Sequence, residues 1–408
     1  MYTQIVELEG HIIDSNILPR VMDEIIDYEG DFKVQEVTIG RTKDDPSYIR
    51  MEVLAKKGET LAKILGQIQR YGVKIISEHE IDLEPAPKDG AFPEGFYSTT
   101  NLETYVYYKS AWLKVDRVEM DCGIVVREET VEALCVPVNK IRKGDPVVLG
   151  HKGIRVVPLQ RSRQKEGFFN FMGSAVSSER PKGLLIKEIA AIMQELKAKG
   201  GKIIVVAGPA VIHTGAGDYF SRILEAGYVD CLFAGNALAV HDIESALLGT
   251  SLGVYLATGD AAPEGHSHHM IAINKIRLAG GIKQAVEAGI LNKGVMYTCE
   301  KNNVDYILAG SIRDDGPLPD TYTDVALAQE EMRRKIKDAD LVIMLGTMLH
   351  SIATGNLLPA YVKTVCVDIN PAVVTKLVDR GSFQAVGLVS DVEWFLRELE
   401  YQLSLEND

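Results

Sequence analysis

The sequence predicts an α/β protein: a doubly wound, mostly parallel sheet of six strands in its C-terminal half, preceded by a small α+β module and a β-rich module. Three observations carry this reading. Beyond residue 200, short Val- and Ile-rich runs recur without polar alternation, as strands buried on both faces do. Helical stretches separate them, which is the arrangement of a parallel sheet covered on both sides. Upstream, apolar and polar residues alternate instead, the mark of half-buried strands. With 408 residues, 46% hydrophobic and 25% charged, the chain can bury a large core, so disorder and fibrous repeats are excluded.

Residues 1–105 hold the alternating segments QIVELEGHI, FKVQEVTIG and YIRMEVLA. The helical stretch ETLAKILGQIQRYG follows, with Leu61, Ile64, Leu65 and Ile68 at three-four spacing. The Pro/Gly-rich EPAPKDGAFPEGF reads as a boundary. Residues 106–181 read as several strands with turns at Lys143-Gly144-Asp145 and Lys152-Gly153, leading through RSRQKEGFFNFMGSAVSSERP to a helix at about 182–199. Residues 182–408 carry the strand runs KIIVVAG, VDCLFAG, DYILAGS, LVIMLGT, TVCVDIN and QAVGLVSD. Between and after these lie DIESALLG, DVALAQEEMRRKIKDA, AVVTKLVDRG and VEWFLRELEYQL as helices.

A formal net charge of −13 repels a phosphate backbone, so a nucleic acid is not expected as partner. The five cysteines are odd in number and form no Cys-x-x-Cys pair, which argues against both a disulfide framework and a structural zinc site. The start, MYTQIVELEGHIID, lacks a basic region followed by an apolar stretch, and the run around IIVVAGPAVI falls far short of the roughly 20 residues that span a bilayer. A reduced, cytoplasmic protein without a membrane partner is expected.

Ligands of an open parallel sheet bind outside the carboxyl ends of its strands. There the sequence reads Ala207-Gly208-Pro209-Ala210, Ala234-Gly235-Asn236-Ala237, Ala309-Gly310-Ser311, Gly346-Thr347-Met348-Leu349-His350, Asp368-Ile369-Asn370 and Ser390-Asp391-Val392. Asp368 comes 22 residues after Gly346, like the acid that takes a ribose hydroxyl in dinucleotide sites, and an acid favours NAD over NADP. The G-x-G-x-x-G fingerprint is absent, and plain turn and cap roles are the alternative. The segment GDAAPEGHSHHMIAINK gathers Asp260, Glu264, His266, His268 and His269, either as solvated loop residues or as a catalytic loop; no metal is expected, since the helix-spaced pair of hydrolytic zinc sites is missing. In SIRDDGPLPD, Arg313 could grip a carboxylate and Asp315 an amine or a ribose, against a plain Gly-Pro turn. Neither a G-x-S-x-G elbow nor a P-loop occurs.

The stretch DADLVIMLGTMLHSIATGNLLP with VKTVCVDINP resembles the NAD-binding half shared by deoxyhypusine synthase and the sirtuins, although the scattered cysteines do not supply the sirtuins' zinc module. The first hundred residues resemble the conserved region of the bifunctional lysine–ketoglutarate reductase/saccharopine dehydrogenase (LOR/SDH) enzymes. Together, over nearly the whole chain, they resemble the archaeal-type ornithine cyclodeaminases and the C-terminal part of the cyanobacterial arginine dihydrolase/ornithine cyclodeaminase fusion. The guanidine-removing domain of that fusion has no counterpart here, so cyclodeamination is implied and arginine hydrolysis is not.

The resemblance implies that Asn236, Ala237, Gly346, Thr347, Met348, Leu349, His350, Asp368, Asp391 and Val392 line NAD. It also implies conversion of L-ornithine to L-proline and ammonia, with NAD⁺ taking a hydride from the α-carbon and returning it to the cyclic imine. Position and residue type make Glu264, His266 and His269 the candidate acid/base groups, Arg313 the carboxylate holder and Asp315 a partner of an amine or the cofactor ribose. The alternatives are another NAD-dependent amino-acid or opine dehydrogenase, a transferase for which Lys275 is the only lysine in the polar cluster, and a non-catalytic NAD-sensing module. A homo-oligomer is expected.

Overall fold

In the computed structural model, residues 2–13, 16–41, 45–69, 71–75, 80–157, 182–314, 316–379 and 385–405 are described. The chain forms two compact units, Met1–Gly173 with Asn356–Tyr361, and Ser174–Gly355 with Val362–Asp408.

The first unit holds two sheets. Period-two alternation builds the first: in β3 (Ser47–Ala55) every second residue is buried, so Ile49, Met51 and Val53 share one face. Antiparallel pairing with β1 (Tyr2–Gly10) sets Met51 opposite Val6 and Ile49 opposite Leu8. With β2 (Asp31–Thr38) and β4 (Lys74–Ile75) the order is β2-β3-β1-β4. Helices α1 (Ile17–Asp27) and α2 (Gly58–Gln69) bring Val21, Ile25, Leu61, Ile64 and Ile68 to the same core. Helix α1 escapes the sequence pattern because Pro19 sits among its first residues; there it is tolerated, since a first-turn N–H lacks a helical partner anyway.

The second sheet has seven strands: β5 (Asp82–Pro85), β6 (Thr104–Tyr108), β7 (Ala111–Asp116), β8 (Gly123–Arg127), β9 (Glu132–Val136), β10 (Pro146–Leu149) and β11 (Ile154–Val156), in the order β11-β6-β7-β9-β8-β10-β5. The Pro/Gly-rich segment read as a boundary belongs to this sheet, for β5 pairs with β10 and Phe96 bridges to Leu149. The two sheets of this unit are joined by the buried Gln69, whose Oε1 lies 2.7 Å from His151 Nδ1.

The second unit opens with α3 (Lys182–Lys199), as expected, and all six predicted strands follow. They are β12 (Lys202–Ala207), β13 (Cys231–Gly235), β16 (Asp305–Ala309), β18 (Ala339–Leu345), β19 (Lys363–Asp368) and β20 (Ala385–Val389). A seventh, β17 (Thr321–Tyr322), is a two-residue edge strand too short to leave a periodic signal. The order is β17-β16-β13-β12-β18-β19-β20, and each pairing is parallel. Chain order thus runs outward in both directions from the neighbouring β12 and β18. This is the doubly wound dinucleotide-binding order, with its crevice at the switch between those two strands.

Connections after β12 are α4 (Ala210–His213) and α5 (Gly217–Glu225). The β13–β16 crossover is long: α6 (Asn236–Leu248), the hairpin β14 (Thr250–Ser251) and β15 (Val254–Tyr255), then α7 (His268–Ala279), α8 (Ile282–Glu287) and α9 (Val295–Lys301). The remaining helices are α10 (Val325–Ile336), α11 (Met348–Leu357), α12 (Pro371–Asp379) and α13 (Val392–Gln402). An Arg222–Glu400 ion pair ties α5 to α13, with the Glu400 side chain only 5% exposed. All five cysteines are buried and unpaired. Among the described residues no helix is long and apolar enough to cross a membrane, and no cluster of three metal-ligating side chains occurs.

Candidate functional site

At the switch point the ends of β12 and β18 touch through glycine. Gly346 has φ +56°, and a Cβ there would lie 2.8 Å from Ala210 Cβ and 3.1 Å from Val392 Cγ2. A Cβ on Gly208 would lie 2.2 Å from the Gly346 carbonyl oxygen. Backbone therefore packs on backbone, and only glycine fits the left-handed Gly346 without strain. Helix α11 starts two residues later, so its first amides, which lack helical partners, follow the turn directly.

Four polar side chains occupy the neighbouring ends. Asn236 is buried and accepts from Leu318 N at 2.9 Å and Thr321 Oγ1 at 3.0 Å, holding the loop after β16; its Nδ2 has no protein partner among the described residues. The His350 ring lies over Gly235, 3.1 Å from where a Cβ would sit. Burial lowers the pKa of His350, and Asp314 opposes this. Asp368 is 8% exposed and accepts from Asn370 N at 2.8 Å through Oδ1, leaving Oδ2 without a protein partner among the described residues. Asp391 caps α13, accepting from Glu393 N at 2.8 Å and Trp394 N at 3.3 Å. Glycine turn, helix start and a half-used acid fit a dinucleotide: amides for a diphosphate, a carboxylate oxygen for a ribose hydroxyl.

A second constellation lies along α6. Glu244 has no exposed surface, yet its carboxylate accepts from four donors: Thr250 Oγ1 and Gly253 N at 2.9 Å, Leu252 N at 3.3 Å and His241 Nδ1 at 3.0 Å. Burial alone would raise its pKa, but these bonds hold the carboxyl below the usual range. With the Thr250 proton committed to Glu244, the 2.8 Å contact to His268 Nδ1 is donated by the histidine. On the other side the His241 ring meets His213 edge to face at 4.7 Å, and His213 Nδ1 lies 2.6 Å from Ser251 Oγ. Burial first, then the His241 charge, push His213 down to about 4, so it is neutral at pH 7. Asp242, two residues before Glu244, instead caps α9 through Val295 N and Met296 N, both at 2.8 Å. Two donors do not offset its burial, which pushes it up to about 6.

Three family descriptions match successive parts of this chain. The LOR/SDH bifunctional enzyme conserved region covers residues 3–102, the first region of the arginine dihydrolase ArgZ-like C-terminal part covers 103–186, and its Rossmann fold covers 187–399. A Methanocaldococcus jannaschii protein named ornithine cyclodeaminase is 55% identical over 99% of this chain and 96% of its own. The chain belongs to the ornithine cyclodeaminase family. Among solved structures, apo ArgZ, an arginine dihydrolase from the ornithine–ammonia cycle in cyanobacteria, is 40% identical and superposes with a TM-score of 0.86 over 99% of this chain and 58% of ArgZ. The ternary complex of AgrE with ornithine and NAD⁺ is 41% identical, with a TM-score of 0.54 over 99% of this chain and 57% of that protein.

Within this cyclodeaminase-family fold, the residues expected at the dinucleotide fall at the ends of β13, β18, β19 and β20. Gly346 and Val392 touch across β18 and β20, and His350 meets the end of β13 beside Asn236 and Ala237. Met348 lies 3.6 Å from Lys376 Nζ through its sulfur, and the Leu349 side chain is exposed. Asp315 lies outside the described residues. The candidate acid/base groups sit elsewhere: Glu264 and His266 are exposed on the turn before α7, with Glu264 at φ 55°, and His269 is half-buried in the first turn of α7. Arg313 is exposed on the loop after β16, next to the fully exposed Ile312. His268, next to His269 in the chain, contacts Thr250 and so belongs to the polar network along α6. His213, His241, Glu244 and Ser251 were not anticipated. The one available signal was three ionisable residues within four positions, His241, Asp242 and Glu244, of an otherwise apolar helix.

Proposed function

We propose that this chain is an NAD-dependent ornithine cyclodeaminase that converts L-ornithine to L-proline and ammonia. The observation that carries this is the crevice between β12 and β18, glycine against glycine, with the half-used carboxylate of Asp368 one strand away. The ornithine cyclodeaminase relatives and the ornithine- and NAD⁺-bound AgrE supply the substrate. Bound NAD⁺ supplies a reversible hydride acceptor, so the substrate is oxidised and re-reduced with no net redox change.

The chain's own residues do the rest. Gly346 and Thr347 bring backbone close to the dinucleotide, with Met348, Leu349 and His350 forming the first turn of α11 beside it. Asp368 offers Oδ2 to a ribose hydroxyl, and its charge repels the 2′-phosphate of NADP. Asn236 presents its amide nitrogen, Ala237 follows it in α6, and Asp391 and Val392 close the far side. Asp315 would assist as a ribose or amine partner. Arg313, exposed on its loop, would grip the ornithine carboxylate with its planar fork. Glu264, His266 and His269 are the groups on the α7 turn through which protons would enter and leave.

The three modules, 1–105, 106–181 and 182–408, are taken as an α+β LOR/SDH-like module, a β-rich subdomain and the Rossmann-like NAD-binding domain. The enzyme is proposed to work in the cytoplasm, in keeping with five unpaired buried thiols, and as a homo-oligomer. Incubation of the purified chain with NAD⁺ and L-ornithine tests the activity. Proline and ammonia in equal amounts without accumulating NADH are expected. NADH rising with product would make the chain a dehydrogenase, and saturable NAD binding without product would leave a binding module.

A further inference from the structure

We propose that the edge strand β2 is a docking surface for a second copy of this chain. It pairs antiparallel with the partner's β2 about a two-fold axis, so that two four-stranded sheets become one of eight. This contact gives the homo-oligomer proposed above its surface and rests on that reading; the activity does not enter.

Strand β2 (Asp31–Thr38) ends the order β2-β3-β1-β4, so one of its sides has no strand beside it among the described residues. Its pairing with β3 shows which face each side chain takes, because residues opposite one another in an antiparallel pair share a face. Phe32, Val34 and Val37 stand opposite Val53, Met51 and Ile49, three residues of the buried core. Val34 and Val37 are nonetheless exposed, Val37 by 53%. Ile39 just beyond the strand and Ile26 of α1, which packs beside β2, are exposed as well. A long edge strand that leaves apolar side chains and backbone uncovered is a template for another strand.

The strand is also complementary to itself. Lys33, Glu36 and Thr38 stand opposite Glu52, Arg50 and Tyr48 and so take the other face. A bulge between Val34 and Glu36 makes this arrangement symmetric. It leaves Phe32 and Val37 on one face and Lys33 and Glu36 on the other, although each pair is an odd number of positions apart. In a two-fold pair centred between Val34 and Gln35, Phe32 meets the partner's Val37 and Lys33 meets the partner's Glu36. The axis repeats both, giving two apolar pairs and two ion pairs. Sliding by one residue sets an apolar side chain against Glu36, Phe32 in one direction and Val34 in the other. Sliding by two loses the ion pairs. A lysine on an edge strand ordinarily deters pairing; here one register supplies it with an acid, and charge complementarity of that kind selects a partner.

The test uses the full chain, with assembly mass read by light scattering after size exclusion from about 1 to about 100 µM. The wild type should run as a dimer or a larger even-numbered assembly. Val37→Lys forces a charge into the apolar side of the contact and should halve that mass, with a dissociation constant raised about 100-fold or more. Lys33→Glu and Glu36→Lys each set like charges across the two-fold and should each weaken association about tenfold. The double swap should restore association to within about threefold of wild type. Inside one chain the same swap sets like charges against Glu52 and Arg50, so the restoration has no intrachain source. Retained NAD⁺ affinity shows that each variant is folded. A multimer whose mass Val37→Lys leaves unchanged, or a double swap that associates no better than its single variants, overturns this surface alone. A wild type of one-chain mass at every concentration overturns the homo-oligomer and this surface with it, whatever proline formation shows.

Discussion

The ends of β18–β20 and the network along α6 are both polar, but they are assembled over different distances. At the strand ends the side-chain hydrogen bonds serve their own loops: Asp368 holds Asn370 N, Asn370 holds Ala372 N, and Asp391 holds Glu393 N and Trp394 N, two or three residues away. Along α6, His213 reaches Ser251 38 residues on, Thr250 reaches His268 18 residues on, and Asp242 reaches Val295 at a separation of 53. Local bonds shape a turn wherever that turn occurs. Long-range bonds exist only once the fold has brought their partners together. The first region is thus a binding edge written strand by strand, and the second is a device that depends on the whole β13–β16 crossover.

The same contrast holds between two neighbours on one helix. Asp242 and Glu244 are both buried, yet Asp242 is pushed up to about 6 while Glu244 is held below the usual range. The difference is the number of donors, two against four, with one of the four an imidazole. A buried carboxylate keeps its charge only when enough hydrogen bonds replace water.

Substitutions at the strand ends break one side of this contrast. Gly346→Val should have the largest effect, since it drives a branched side chain into Ala210 at a positive φ. NAD⁺ binding should fall more than 100-fold by calorimetric titration, with a stability loss of about 2 kcal/mol or more. Asp368→Ala should cost about 2 kcal/mol of NAD⁺ affinity, near thirtyfold, and narrow the preference for NAD⁺ over NADP⁺ in the same titration. Unchanged affinity there would reduce Asp368 to a turn residue.

The other side is sharpened by Asp242→Asn. The folded-state pKa of Asp242, about 6, lies above the ordinary value of 3.8. Between those values the folded chain binds more protons than the unfolded one, so this group's contribution to stability is present at low pH and declines as pH rises through about 6. The variant should therefore gain on the wild type by about 2 kcal/mol between pH 4 and pH 7 in denaturant titrations; a pH-independent difference would mean that the capping bonds fully offset burial. The smallest effect belongs to Asp391: Asp391→Ala should cost about 1 kcal/mol of stability through the lost cap, and Asp391→Asn almost none. An NAD⁺ affinity that falls in the Asn variant would add a cofactor role to the cap.

How much of this was legible follows from the same division. Strands β12, β13, β16, β18, β19 and β20 are readable because burial on both faces demands unbroken apolar runs such as IIVVA and LVIML. The two-residue β17 and the β5 hidden in a proline-rich segment leave no such run. The acid at Asp368 was legible as a residue at the end of a strand, whereas its half-used state depends on which backbone amide turns toward it. Arg313, Glu264, His266 and His269 were picked for their chemistry, and sequence proximity offered no means of ranking them against His213 or His268.

The sequence by itself determined the parallel sheet, its order of strand and helix, and the glycine and acid that end its strands, because each of these is a short-range consequence of periodicity, backbone freedom and capping. Only the tertiary structure decided that Gly208 and Gly346 close on one another, that His213, His241, Glu244, Thr250 and His268 form one chain of contacts, and that Glu244 is held below the usual range while Asp242 is pushed up to about 6. Those outcomes turn on distances between segments tens of residues apart and on how many donors reach a buried carboxylate, and neither quantity is carried by any local stretch of the chain.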